Sequence, residues 1–169
     1  MTTSLLVLGG ARSGKSRYAQ QCAETLPGRH LFIATAEAWD DEMRDRVARH
    51  RADRSAIWET LETPLELAAA IEAQRGTGAV VLVDCLTLWA TNLLLGEHDI
   101  DAATEALCAA IARFDGQIIL VANEVGLGIV PDNALARRFR DVAGQINQAV
   151  ARTVDDAVFV AAGLPLKLK

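Results

Sequence analysis

The chain has 169 residues and a mass of 18.1 kDa, the size of one ordinary domain, and that length closes a hydrophobic core without disulfides or metal clips. Hydrophobic residues make up 51% and charged residues 23%, which excludes a disordered chain. The net charge of -5 lacks the basic excess on which duplex nucleic-acid binding depends, so no nucleic-acid partner is expected.

Aromatics are only 5%, so the core has to be built of Leu, Val, Ile and Ala, as in the buried strands of parallel sheets. The first apolar run, SLLVL at residues 4–8, follows no basic region and reaches glycine within a few residues. It reads as a strand and not as a signal peptide. No apolar stretch reaches the roughly 20 residues of a membrane-spanning helix. Cys22, Cys85 and Cys108 form no CxxC pair and no metal-like spacing. A cytoplasmic protein with reduced thiols and no membrane insertion is expected.

Directly after that strand comes GGARSGKS, residues 9–16, which matches G-x-x-x-x-G-K-[ST] and opens a helix predicted over residues 15–26. Gly9, Gly10 and Gly14 allow backbone geometry and close approach that a Cβ obstructs. Together with Ala11, Arg12 and Ser13 they form a loop whose N–H groups can point at phosphate oxygens. The helix adds its positive N-terminal end. Lys15 places a cation at the β- and γ-phosphates, and the Ser16 hydroxyl is placed to ligate Mg²⁺. The residues therefore predict a nucleotide site for ATP or GTP.

A second strand is predicted at residues 30–34 (HLFIA) and a helix at 41–54. The stretch DDEMRDRVARHRADR, residues 40–54, begins acidic and continues basic, an order that complements the helix dipole and suits a solvated face. His50 shares a face with Met43, Val47 and Arg54 and sits within Arg-His-Arg. It is open as a structural residue, a phosphate contact or a neutral imidazole nucleophile. His30 and His98 have no comparable surroundings and read as structural.

IWETLE at residues 57–62 alternates as a half-buried or edge strand does, and helices are predicted at 64–75, 86–95 and 102–114. The run AVVLVD, residues 79–84, is a buried strand over 79–83 followed by Asp84. Asp84 is open between Mg²⁺ or nucleotide binding and ordinary turn chemistry. After a strand at 117–122 (QIILVA), NEVGLGIVPD at residues 123–132 is a candidate functional loop. It lacks the Lys and Asp of an Asn-Lys-x-Asp segment, so the chain is not an ordinary GTPase switch. A helix at 133–154, carrying Arg137, Arg138 and Arg140, and a strand at 157–161 complete the pattern. Strands alternating with helices predict an α/β fold, a mostly parallel sheet with flanking helices, in a single domain over residues 1–169.

Several blocks carry a resemblance. GGARSGKSR at 9–17, residues 41–43 with RVARHR at 46–51, WETLE at 58–62, VDCLTLWATNLL at 83–94, NEVGLGIVP at 123–131, LARRFRDVAGQINQ at 135–148 and GLPLKLK at 163–169 span nearly the whole chain. They resemble the bifunctional adenosylcobinamide kinase/adenosylcobinamide-phosphate guanylyltransferase family. Thr63 departs from that family's pattern, in which a second acidic residue more often follows Glu62.

The resemblance implies a P-loop NTPase-type fold similar to a RecA-like core, assembled as a homotrimer. It implies phosphorylation of adenosylcobinamide by ATP or GTP. GMP then passes from GTP, through a guanylyl-histidine intermediate at His50, to adenosylcobinamide phosphate, giving adenosylcobinamide-GDP in coenzyme B12 assembly. The nucleotide contacts it implies are the loop at residues 9–16 with Ala34, Thr35, Ala36, Arg51, Ala52, Asp53, Arg54, Glu62 and Asp84. Glu62 can serve either the guanine edge or a ribose hydroxyl. Two other functions fit the phosphate loop alone: a single-activity P-loop kinase for another small molecule, and a non-catalytic nucleotide-binding subunit.

Overall fold

A computed structural model describes residues 3–36 and 55–169. Seven strands, β1 Thr3–Gly9, β2 His30–Ala34, β3 Trp58–Glu62, β4 Val80–Asp84, β5 Gln117–Asn123, β6 Asp156–Ala161 and β7 Leu164–Lys167, form one sheet. Their order is β3-β2-β4-β5-β1-β6-β7. All neighbouring pairs are parallel except β6 and β7. The described helices are α1 Lys15–Glu24, α2 Leu67–Glu72, α3 Leu86–Leu95, α4 Ile100–Arg113 and α5 Ala134–Thr153.

The central strands are aliphatic runs because both of their faces are covered. Leu6, Ile33, Val81, Val83, Ile118 and Leu120 point to one face and pack with Trp89, Leu107, Ile111 and Ile146 of the α3, α4 and α5 layer. Their neighbours Val7, Phe32, Val80, Leu82, Ile119 and Val121 point to the other, where α1 presents Ala19 and Ala23. Small residues on α1 let it pack against the sheet, and residues 10–14 join its first turn to the end of β1.

Asp99 caps α4 by accepting from the Ala102 N–H at 3.0 Å, which starts that helix two residues before its predicted first residue. Asn133 caps α5 in the same way at 3.1 Å. The predicted helix at 64–75 is a shorter helix, Leu67–Glu72, followed by turns. The seventh strand is not among those predicted from sequence. It contains Pro165, which an edge strand tolerates because the outer N–H needs no ladder partner. The helix predicted at 41–54 lies outside the described residues. No helix among the described residues is long and apolar enough to cross a membrane.

Candidate active site

Parallel strands end at one edge of the sheet, and that edge gathers the loop after β1, residues 34–36 after β2, Glu62, Asp84 and the β5–α5 loop. The loop at residues 9–16 is shaped by three constraints. Gly9 closes β1 level with Asn123 of β5 and Val160 of β6. A Cβ there would stand 2.4 Å from the Ser13 Oγ and 2.7 Å from the Val160 carbonyl oxygen. Gly14 takes φ 93°, a left-handed conformation that glycine adopts without penalty, and precedes α1 without any side-chain cap. The third constraint is the tip of the β6–β7 hairpin, where Ala162 and Gly163 both have positive φ. The Gly163 N–H donates to the Ser13 carbonyl at 2.7 Å, and a Cβ on Gly14 would meet the Gly163 Cα at 3.1 Å.

α1 thus begins with first-turn N–H groups that no side chain caps, the arrangement that favours an anion. Lys15 is buried, and its Nζ donates across the loop to the Gly10 carbonyl at 3.0 Å. Ala11 and Arg12 are exposed, Arg12 with φ 55°. The Ser13 hydroxyl is buried, and among the described residues it has no hydrogen-bond partner. Ser16 is half-buried in the first turn of α1.

Glu62, Ala34 and Asp84 lie in one row across β3, β2 and β4. That row continues through Val121 of β5 to Val7 of β1. Two inter-strand spacings place Asp84 about 10 Å to the side of β1, and two residues of rise place it about 7 Å short of Gly9. The strand between them is β5, whose end carries Asn123 and Glu124. A serine hydroxyl and a carboxylate are hard oxygen donors, and the pair Ser16 and Asp84 suits Mg²⁺, which takes few protein ligands and fills its shell with water and phosphate. Among the described residues no cluster of three or more acidic, His or Cys side chains forms a cage of its own.

The Thr35 side chain is turned into the fold. Thr35 is fully buried; the hydroxyl donates to the Cys85 carbonyl at 2.7 Å and accepts from the Cys85 N–H at 2.9 Å. Its own N–H donates to the Asp84 carbonyl at 3.3 Å. The hydroxyl is therefore committed to bracing the Asp84 turn, and only neighbouring Ala36, half-buried, faces outward from that segment. Glu62 is exposed, and Asp84 is half-buried. His50, Arg51, Ala52, Asp53 and Arg54 lie outside the described residues. His30 is structural as expected: its Nε2 bonds the Ala23 carbonyl at 3.0 Å and its ring meets Trp58 edge-on.

Sequence reasoning does not single out the residues that wire this edge together. Asn92, buried on α3, donates from Nδ2 to the Thr35 carbonyl at 2.8 Å and the Pro64 carbonyl at 3.0 Å, joining the loops after β2 and β3. The Thr87 hydroxyl accepts from the Asn123 N–H at 2.7 Å. A signal was present, since Thr87 and Asn92 are polar positions on a helix made, apart from Thr91, of Leu, Trp and Ala. Of the arginines on the last helix, Arg140 donates to the Gly126 carbonyl at 2.8 Å and Arg137 to the carbonyls of Pro131 and Asp132. Both hold the 124–132 loop in shape. Burial, reinforced by the neighbouring Asp84 charge, pushes the Cys85 thiol up to about 11, so it is an uncharged packing residue at neutral pH.

The chain is 50% identical over 166 residues to the bifunctional adenosylcobalamin biosynthesis protein CobP of Pseudomonas aeruginosa, covering 97% of this chain and 96% of that protein. It is 41% identical over 180 residues to the bifunctional adenosylcobalamin biosynthesis protein CobU of Salmonella typhimurium, covering 98% and 99%. Among solved structures it is similar to the P4 protein of bacteriophage phi6 in complex with ADP, at TM-score 0.50 and 17% identity, over 97% of this chain and 52% of that one. It is also similar to a Pyrococcus horikoshii protein, PH0250, at TM-score 0.59 and 10% identity over 99% and 86%. These two likenesses concern the fold alone. Residues 5–168 match the family model described as cobinamide kinase / cobinamide phosphate guanyltransferase, and the chain belongs to that family.

Proposed function

We propose that this chain, as one catalytic unit over residues 1–169, runs both reactions of its family on a single nucleotide site, and that the second proceeds through a guanylyl-His50 intermediate. The observation that carries the reading is the loop at residues 9–16: an uncapped helix start, a glycine hinge and a buried lysine at the carboxyl edge of a parallel sheet. Such a site holds a triphosphate in place and stabilises charge on whichever phosphate group leaves.

In the first reaction the aminopropanol hydroxyl of adenosylcobinamide attacks the γ-phosphorus of ATP or GTP, and the nucleoside diphosphate leaves. In the second an imidazole nitrogen of His50 attacks the α-phosphorus of GTP, forming an N–P bond as pyrophosphate departs. The phosphate of adenosylcobinamide phosphate then attacks the same phosphorus, breaking the N–P bond and yielding adenosylcobinamide-GDP. The covalent step divides one displacement between two anions into two easier ones. Lys15 and the loop N–H groups stabilise the departing phosphates in both reactions. Ser16 and Asp84 would hold Mg²⁺, which neutralises phosphate charge when bound. Ala34, Thr35, Ala36, Arg51, Ala52, Asp53, Arg54 and Glu62 supply further nucleotide contacts in this reading.

The surface we assign to the corrinoid is the 124–132 loop. It is rooted on the phosphate loop by the bond from the Glu124 N–H to the Gly9 carbonyl at 3.0 Å. Its Leu127, Ile129 and Val130 are all exposed. A homotrimer working in the cytoplasm remains part of the same proposal.

The test uses purified protein, Mg²⁺ and GTP labelled at the α- or the γ-phosphate, without corrinoid. Label from the α-phosphate alone, acid-labile and on the peptide containing His50, is the expected result. His50→Asn should lose that label and retain GTP binding, while Lys15→Ala should lose most of both activities. Absence of label under conditions where GTP binds would overturn the covalent route and favour a plain P-loop kinase.

A further inference from the structure

We infer that Glu124 is the base that accepts the hydroxyl proton in the kinase reaction, an assignment that rests on the kinase reading above. Three carboxylates stand at the reactive ends of the described strands: Glu62, Asp84 and Glu124. Glu62 ends β3, four strand spacings or about 19 Å from β1, too far from the phosphate loop to reach a group held by Lys15. Asp84 is the carboxylate suited to Mg²⁺, and a metal-bound carboxylate is a poor proton acceptor. Glu124 follows β5, the strand lying between the phosphate-loop strand and the Asp84 strand. Its backbone N–H bonds the carbonyl of Gly9, the first residue of the phosphate loop, at 3.0 Å.

The side chain is also held in a way that suits a base. One carboxylate oxygen, Oε1, accepts from the Gly126 N–H at 2.5 Å, and the Gly126 carbonyl is in turn held by Arg140 at 2.8 Å. The residue before it is fixed from both sides, its N–H by the Thr87 hydroxyl at 2.7 Å and its carbonyl by Asn147 at 3.3 Å. Among the described residues the second oxygen, Oε2, makes no hydrogen bond. Glu124 is half-buried, at the rim between the phosphate loop and the exposed apolar side chains assigned to the acceptor.

The two reactions differ in their need for such a group. A cobinamide hydroxyl is a neutral alcohol and must give up its proton as the O–P bond forms. The nucleophiles of guanylyl transfer, an unprotonated imidazole nitrogen and a phosphate oxyanion, carry no proton on the attacking atom. In the kinase step the hydroxyl oxygen bonds to the γ-phosphorus, and the bond from that phosphorus to the β,γ-bridging oxygen breaks. The proton passes to Glu124 Oε2, and the nucleoside diphosphate leaves with the bonding pair. Solvent takes the proton from Glu124 afterwards.

Glu124→Gln separates chemistry from architecture, because its amide oxygen still accepts from the Gly126 N–H while the basic oxygen is lost. Kinase activity is measured with adenosylcobinamide and ATP, and guanylyl transfer with adenosylcobinamide phosphate and GTP, both on the full chain. The kinase kcat should fall about 10²- to 10⁴-fold, with KM for ATP moved less than about threefold. That loss should exceed any loss of guanylyl transfer by at least about 30-fold. A kinase kcat within about threefold of wild type would overturn the assignment, and so would equal losses in both reactions, which mark a brace for the loop. Wild-type protein without kinase activity would overturn the kinase reading and the assignment with it. Active wild type with an unaffected Gln variant overturns the assignment alone.

Discussion

Thr35→Val tests whether this residue braces the Asp84 turn or touches the nucleotide. Valine has nearly the shape of threonine, so no cavity opens, and the change removes only the hydroxyl. Two buried backbone groups of Cys85 lose their partner, a carbonyl bonded at 2.7 Å and an N–H bonded at 2.9 Å. A buried group left unsatisfied costs about 1–3 kcal/mol, giving roughly 2–6 kcal/mol for the pair. The hydroxyl no longer has to be desolvated, which offsets part of this and leaves about 2–4 kcal/mol. Against a total stability of about 5–15 kcal/mol that is a large fraction. With a urea m-value near ~2 kcal/mol/M for a chain of this size, the midpoint should drop by about 1–2 M at unchanged m. Thr35→Ser, which keeps the hydroxyl and loses one methyl, should cost only about 1 kcal/mol. GTP affinity of the folded Val variant, titrated calorimetrically in the cold, should change less than about threefold, because the hydroxyl faces Cys85. An unchanged urea midpoint refutes the bracing argument. Unchanged stability with GTP binding about tenfold weaker makes Thr35 a nucleotide contact after all.

Gly9→Ala should weaken GTP binding at least about tenfold and destabilise by about 1–3 kcal/mol, since its Cβ would meet the Val160 carbonyl oxygen at 2.7 Å, read by calorimetric titration and urea melts. Wild-type affinity in that variant would mean the loop has room to move. Cys85 has a raised pKa, so the folded state keeps a proton that the unfolded chain loses: this contribution is intact below about pH 8.5 and is lost as pH rises toward about 11. Urea midpoints of wild type should therefore fall more steeply across that window than those of Cys85→Ala, and a thiol reagent at pH 8 should modify half-buried Cys22 and Cys108 before Cys85. Leu127→Asp and Ile129→Asp, at side chains 82% and 98% exposed, should raise the corrinoid KM at least about tenfold while GTP still binds; an unmoved KM removes this loop from the acceptor surface.

Much was legible from local chemistry. Aliphatic runs marked five of the seven strands, because a strand buried on both faces must be apolar at nearly every position, and alternation marked the half-exposed β3. The phosphate loop was legible because its signature lies within eight consecutive residues, four of which are fixed in type. His50 and the arginines around it form a pattern in the sequence, and they lie outside the described residues.

What the tertiary structure alone decided is who stands beside whom. No periodicity places β5 between β1 and β4, and without that order Glu124 is one more loop acid. The Thr35 hydroxyl turns inward because Cys85, fifty positions away, offers it both a donor and an acceptor. Gly163 serves the phosphate loop from the far end of the chain through a hairpin whose apolar, Pro-containing second strand pairs only at an exposed edge. Sequence determines propensity and chemistry at each position. Contacts between distant segments follow from sheet order and burial, which are properties of the whole chain packed at once.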